Sequence, residues 1–175
     1  MKCTIVSALA SLSLLLTSCG TTTGLSPTTA HSGFDNARIV NIAPHGNAMT
    51  GMIGTGIGAQ WNEAKKDQLI LIIAVFNTTT AITGAELNID GEKLTLTPTA
   101  DITDMESGGE IMKRSTKGFV TKLDTVEKII GSKRTWLRVS TPTGTMEDAV
   151  IDGAKDSKAY HALKRFMDAV KGKQG

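Results

Sequence analysis

Short runs of apolar residues, many alternating with polar ones, recur along this chain, and most have the period of strands. Arg38 to Ile42 is a Val/Ile run ended by the turn-forming cluster Pro44-His45-Gly46-Asn47. Gln68 to Phe76 is apolar at almost every position and rich in β-branched residues. That predicts a strand buried on both faces at the middle of a sheet. Ala85 to Asp90 alternates, with Leu87 and Ile89 on one side and Glu86 and Asn88 on the other. Lys93 to Thr97 alternates again, with Leu94 and Leu96 expected inward. The Asp90-Gly91 pair between the two runs predicts a hairpin with a type I′ turn. Further strands are expected over 117–123, 134–140 and 145–151, the last two joined by Thr141-Pro142-Thr143-Gly144. Residues 101–110 read as an exposed loop.

Two stretches carry a helical period instead. Asp124 to Gly131 predicts a short helix, with Asp124 as N-cap, Glu127 at capping-box spacing and Gly131 as a left-handed stop. Asp156-Ser157 opens a longer one. Its stripe of Ala159, Leu163, Phe166, Met167 and Val170 faces the core, while Lys158, Lys164, Arg165 and Asp168 face out. The expected fold is therefore α+β and β-rich: antiparallel, sandwich-like sheets with a short internal helix and a C-terminal amphipathic helix.

The first residues have a different pattern. Met1-Lys2 is a basic start, and residues 4–17 carry nine aliphatic or alanine side chains separated only by small hydroxyl residues. A basic start, a short apolar core and a small-residue exit are the layout of a secretory signal. The run is too short to span a bilayer, which takes about 20 residues. It ends in Leu16-Thr17-Ser18-Cys19, which resembles the lipobox of bacterial lipoproteins position by position. The resemblance covers only these first residues. It implies cleavage before Cys19, a diacylglyceryl group on its thiol and acylation of its new amine. Several acyl chains, at about 0.8 kcal/mol per buried CH₂, make a stable anchor. Gly20 rather than Asp follows the cysteine, which by the family's sorting rule implies the outer membrane.

The organisation that follows is a signal peptide over 1–18, a lipidated Cys19 and flexible Thr/Gly-rich tether over 19–33, one globular domain over 34–171 and a disordered tail over 172–175. Removal of the signal takes away Lys2 alone among charged residues, so the formal charge falls from +2 to +1. A near-neutral balance gives no reason to expect nucleic acid as a partner. The remaining 157 of 175 residues suffice for one domain that buries about 70% of its unfolded surface. Cys3 leaves with the signal and Cys19 carries lipid, so no thiol chemistry or thiolate metal site is expected in the domain.

Chemistry is sparse in the rest. Gly51 to Gly58 has no GxGxxG fingerprint and no capped helix behind it. It reads as a glycine-bearing strand or bulge that another element approaches closely. The histidines are His31, His45 and His161, with no spacing that holds zinc. His45 lies in a turn, where it could serve a small hydrolase or transferase together with loop carboxylates. No cofactor is implied. The sharpest surface feature is Arg134-x-Trp136-x-Arg138, which strand alternation places on one face with Leu137 and Val139 on the other. A Trp between two cations can stack with both or offer a platform for an anionic envelope ligand. Lys113, Arg114 and Lys117 would extend the basic area. Seven aromatic residues in the whole chain disfavour a glycan-binding module.

The functional expectation is a non-enzymatic binding or scaffolding lipoprotein at the periplasmic face of the outer membrane. Its partners would be the membrane, through the anchor, and an envelope protein or anionic ligand. The alternatives are an inhibitor or immunity-type protein with a protruding loop near 101–117, and the His45 enzyme.

Overall fold

The computed structural model of the chain describes residues 26–107 and 113–172. The expected signal peptide, Cys19 and most of the tether lie outside the described residues, as do 173–175 of the expected tail. In chain order the strands begin with β1 (Thr28–His31), β2 (Arg38–Gly46), β3 (Gly54–Asn62) and β4 (Gln68–Phe76). They continue with β5 (Gly84–Ile89), β6 (Glu92–Thr95), β7 (Thr97–Pro98), β8 (Asp104–Ser107) and β9 (Lys113–Lys122). Then come helix α1 (Leu123–Gly131), β10 (Arg134–Thr141), β11 (Gly144–Asp152), β12 (Lys155–Asp156) and helix α2 (Lys158–Val170). Among the described residues, seven strands form one antiparallel sheet in the order β1-β2-β3-β4-β9-β7, with β8 also on β9. Five form a second, β12-β11-β10-β5-β6. This is the expected α+β, β-rich sandwich with an internal and a C-terminal helix.

One core lies between the inner face of the first sheet and a layer made of the second sheet and both helices. The first sheet supplies Val40, Ile42, Ile57, Leu71, Ile73 and Phe119, all essentially without solvent access. Opposite stand Leu87, Leu137 and Val139 of the second sheet, Val126 and Ile129 of α1, and Leu163, Phe166 and Met167 of α2. Strand β4 occupies the centre of its sheet, as its apolar run predicts, but it is not buried on both faces throughout: Leu69, Leu71, Ile73 and Val75 are buried, while Ile70 and Ile72 on the other face are half-buried. The β5–β6 turn has φ of 48° at Asp90 and 97° at Gly91, the two positive values of a type I′ turn. Helix α2 buries its predicted stripe and is capped by Ser157, whose Oγ accepts from the Tyr160 N–H at 3.1 Å.

Several expectations are corrected. The tether was expected to run to residue 33, but Thr28–His31 pairs antiparallel with β2. Every residue of β1 is exposed, so backbone hydrogen bonds rather than apolar burial hold it, and hydropathy gives no sign of it. Pro44-His45-Gly46 does not end β2. The strand passes through it with a bulge between Ile42 and His45. The bulge arches over β3 where only glycine fits: a Cβ on Gly58 would lie 2.5 Å from the Ile42 carbonyl oxygen. On Gly56 it would lie 2.5 Å from that of His45. The close approach expected for the 51–58 run is therefore the bulge of its own neighbour. Within the expected loop 101–110, Asp104–Ser107 pairs with β9, while 108–110 lies outside the described residues. Leu94 is 38% exposed, because β6 lies at the sheet edge and only Leu96 reaches the core. Helix α1 starts at Leu123 without a side-chain cap. It is stopped by Ser132, whose N–H and Oγ both donate to the Ile129 carbonyl, while Gly131 is not left-handed.

Antiparallel turns alternate between the two ends of the sandwich. One end gathers Asp90-Gly91, the α1–β10 connection and the helix termini. There Asp90 Oδ1 accepts from the Arg134 N–H at 2.8 Å. Arg38 donates to the carbonyls of Ala169 and Val170 at 2.9 and 2.7 Å, and Lys171 pairs with Glu127 at 2.8 Å. The opposite end gathers 47–53, 77–83 and 141–144, none of which contains a charged residue, and beside them the end of the β8–β9 pair with Glu106, Lys113 and Arg114.

Candidate functional site

The Arg-Trp-Arg face is built as alternation predicts. Within β10, Leu137 and Val139 are fully buried, while Arg134 and Arg138 are exposed and Trp136 half-buried. Cross-strand register sets Arg138 beside Glu147 of β11 and Glu86 of β5, and Trp136 beside Asn88. Arg138 Nε donates to Glu147 Oε1 at 2.7 Å and its NH1 to Glu86 Oε2 at 3.2 Å. Thr95 Oγ1 donates to the other Glu86 oxygen at 3.3 Å, which carries the row onto β6. The hydrogen bond and charge of Glu147, then those of Glu86, raise the Arg138 pKa above its ordinary value.

The neighbouring row is organised by Asp152. Its Oδ2 accepts from Trp136 Nε1 at 3.3 Å, and its Oδ1 lies 3.4 Å from Arg134 Nε. The Arg134 guanidinium sits 5.6 Å from the Trp136 ring centroid, in cation–π range. With Lys93 and Asn88 these residues line a shallow depression of about 230 Å³. Its lining holds three cations, Lys93, Arg134 and Arg138, against the carboxylates Glu86 and Glu147, and Asp152 beside it faces Arg134. With Asp152 counted the face is charge-balanced, and each arginine already faces a carboxylate. The expected basic extension does not join it, because Lys113, Arg114 and Lys117 belong to β9 of the other sheet, and Arg114 pairs with Glu106 there.

His45 is buried in the β2 bulge, and its Nδ1 donates to the Ala43 carbonyl oxygen at 2.8 Å. Among the described residues no carboxylate or hydroxyl hydrogen-bonds to its ring, so the arrangement a general base needs is not assembled there. No group of three or more His, Cys, Asp or Glu side chains converges among the described residues. Most of the described part of the segment expected to protrude as an inhibitory loop is taken up by the paired strands β8 and β9, with only 101–103 outside them.

Sequence reading missed two features. Asp148 of β11 points inward, and its Oδ2 accepts from the Thr55 N–H at 2.7 Å and the Thr55 hydroxyl at 2.8 Å. Asn47 Nδ2 donates to Thr55 Oγ1 at 2.9 Å, and the Ala48 N–H donates to the Ala149 carbonyl at 2.9 Å. These bonds stitch the second sheet to the start of β3 and to the 47–53 loop. Adjacent Glu147 and Asp148 on one strand were the available signal, since period two sends one of them inside. The second feature is a groove of about 370 Å³ at the end with the 47–53 loop, lined by Ile53, Met146 and threonines of the 78–80 and 141–145 segments.

Among the described residues no helix is long and apolar enough to cross a membrane. Comparison with protein-family models, with curated proteins and with solved structures finds no match.

Proposed function

We propose that this chain is a bacterial outer-membrane lipoprotein, cleaved before Cys19 and acylated there, whose domain is a non-enzymatic docking module for another envelope protein. The anchor half rests on Leu16-Thr17-Ser18-Cys19 behind a short apolar run, with Gly20 rather than Asp after the cysteine. The docking half rests on one observation, the alternating-charge row Glu147–Arg138–Glu86 beside a half-buried Trp136. A flat face of alternating charge with a Trp and Arg core suits a protein surface of matching alternation. It suits a polyanion poorly, because each arginine already holds a carboxylate.

The test is a crosslinking pull-down of the full lipidated chain from bacterial envelopes, run beside Trp136→Ala and Lys93→Glu. One stoichiometric partner held by the wild type and lost by both variants is the expected result. Capture that neither variant changes would overturn the docking face. An unmodified Cys19 by mass spectrometry would overturn the anchor.

A further inference from the structure

We infer that the end of the sandwich with the 47–53 loop faces the bilayer surface, with that uncharged loop seated at the headgroup–acyl boundary. The inference rests on the proposed acylation of Cys19 and adds an orientation to it.

Three observations converge on this end. Met52, at the tip of the 47–53 loop, is 88% exposed, and Met49 and Ile53 beside it are also exposed. Beside this loop the first sheet ends on the charged β8–β9 pair, where Met105 is exposed between Asp104 and Glu106, and Glu106 pairs with Arg114 opposite Phe76. Single exposed apolar side chains are commonplace, but three on one uncharged loop are a patch. The loop is also built rather than loose. Asn77 Nδ2 donates to the Met52 carbonyl at 2.6 Å, and the Ala48–Ala149 bridge pins the loop's base to β11. Met49 is packed so closely over Gly54 that a Cβ there would meet its Sδ at 2.4 Å.

The second observation is charge. From Ile39 to Asn62 and from Leu69 to Ala85 the sequence has no Asp, Glu, Lys or Arg. The turns these segments form at this end expose threonine, methionine and isoleucine, whose hydroxyls and apolar ends suit a headgroup boundary. Lys113 stands exposed at its margin, where a lipid phosphate would meet it. The opposite end also has one fully exposed aromatic, Phe34, followed by Asp35 and Arg38 in the chain.

The third observation is where the chain leads. Strand β1 runs from Thr28, opposite Asn41, to His31, opposite Arg38. The chain therefore enters β1 from the side of Gly46 and the 47–53 loop. From Thr28 to the level of Gly46 is about 15 Å of strand. The nine residues from Cys19 to Thr28 can span at most about 30 Å. The acyl chains thus hold this end within a short distance of the membrane, in the direction the chain already takes.

The test uses the processed, lipidated full chain in vesicles of phosphatidylethanolamine and phosphatidylglycerol. Cys3 is lost with the signal and Cys19 is acylated, so Met52→Cys and Phe34→Cys each supply a single thiol for a nitroxide. Both positions are exposed, so neither change disturbs the core. The expected result is a ratio of oxygen to nickel-chelate accessibility severalfold higher at position 52 than at 34. Equal ratios, or a higher one at 34, with acyl groups confirmed on Cys19 would overturn the orientation and leave the anchor standing. A nitroxide at 52 shielded from both reagents would mean that a protein covers this end, and would also overturn it. Absence of acyl groups would remove both readings together.

Discussion

The two ends of this sandwich close its interior by different means. At the charged end the helices do it: α1 and α2 press Val126, Ile129, Leu163 and Phe166 against the first sheet, and their termini tie into Arg38 and Glu127. At the end with the 47–53 loop hydrogen bonds do it: Asp148 crosses from the second sheet to Thr55, and Asn47 joins behind it. Apolar closure is non-directional and tolerates repacking, whereas a buried carboxylate must keep its donors. The ends should therefore fail differently.

Three substitutions set them against each other. Phe166→Ala empties a fully buried site under α2 and should cost about 3–5 kcal/mol, read as a lower urea midpoint with amide exchange quickened throughout. Asp148→Ala strands the Thr55 N–H and hydroxyl and should cost about 2–3 kcal/mol. Its signature is local, with exchange rising first over 47–55, and Asp148→Asn should recover part of the loss. Exchange that rose uniformly in both variants would erase the distinction. Ser157→Ala removes the α2 cap and should cost about 1 kcal/mol, with exchange rising at Tyr160 and His161 while the 47–55 amides stay protected.

Much of the fold could be read from residue order, for identifiable reasons. Asp90-Gly91 works because only such a pair takes positive φ twice at low cost. The stripe of α2 works because its period and its N-cap agree. Strand β1 was invisible because four exposed residues on an edge carry no hydropathic signature. The bulge in β2 was read as a turn because Pro44 and Gly46 serve both. At the candidate site, alternation put Arg134, Trp136 and Arg138 on one face. It could not show that Glu86, 52 residues away, would neutralise Arg138. Nor could the bare ends be seen, since only topology brings residues 47–53, 77–83 and 141–144 together.

The direction of β1 has a mechanical consequence. A pull on the chain that precedes Thr28, directed past the 47–53 loop, runs along the strand axis. It would load the hydrogen bonds from Thr28–Asn41 to His31–Arg38 together, in shear, instead of opening them one by one like a zipper. A four-residue strand with no buried side chain can then act as a tensile joint, sharing a load that no single bond would bear.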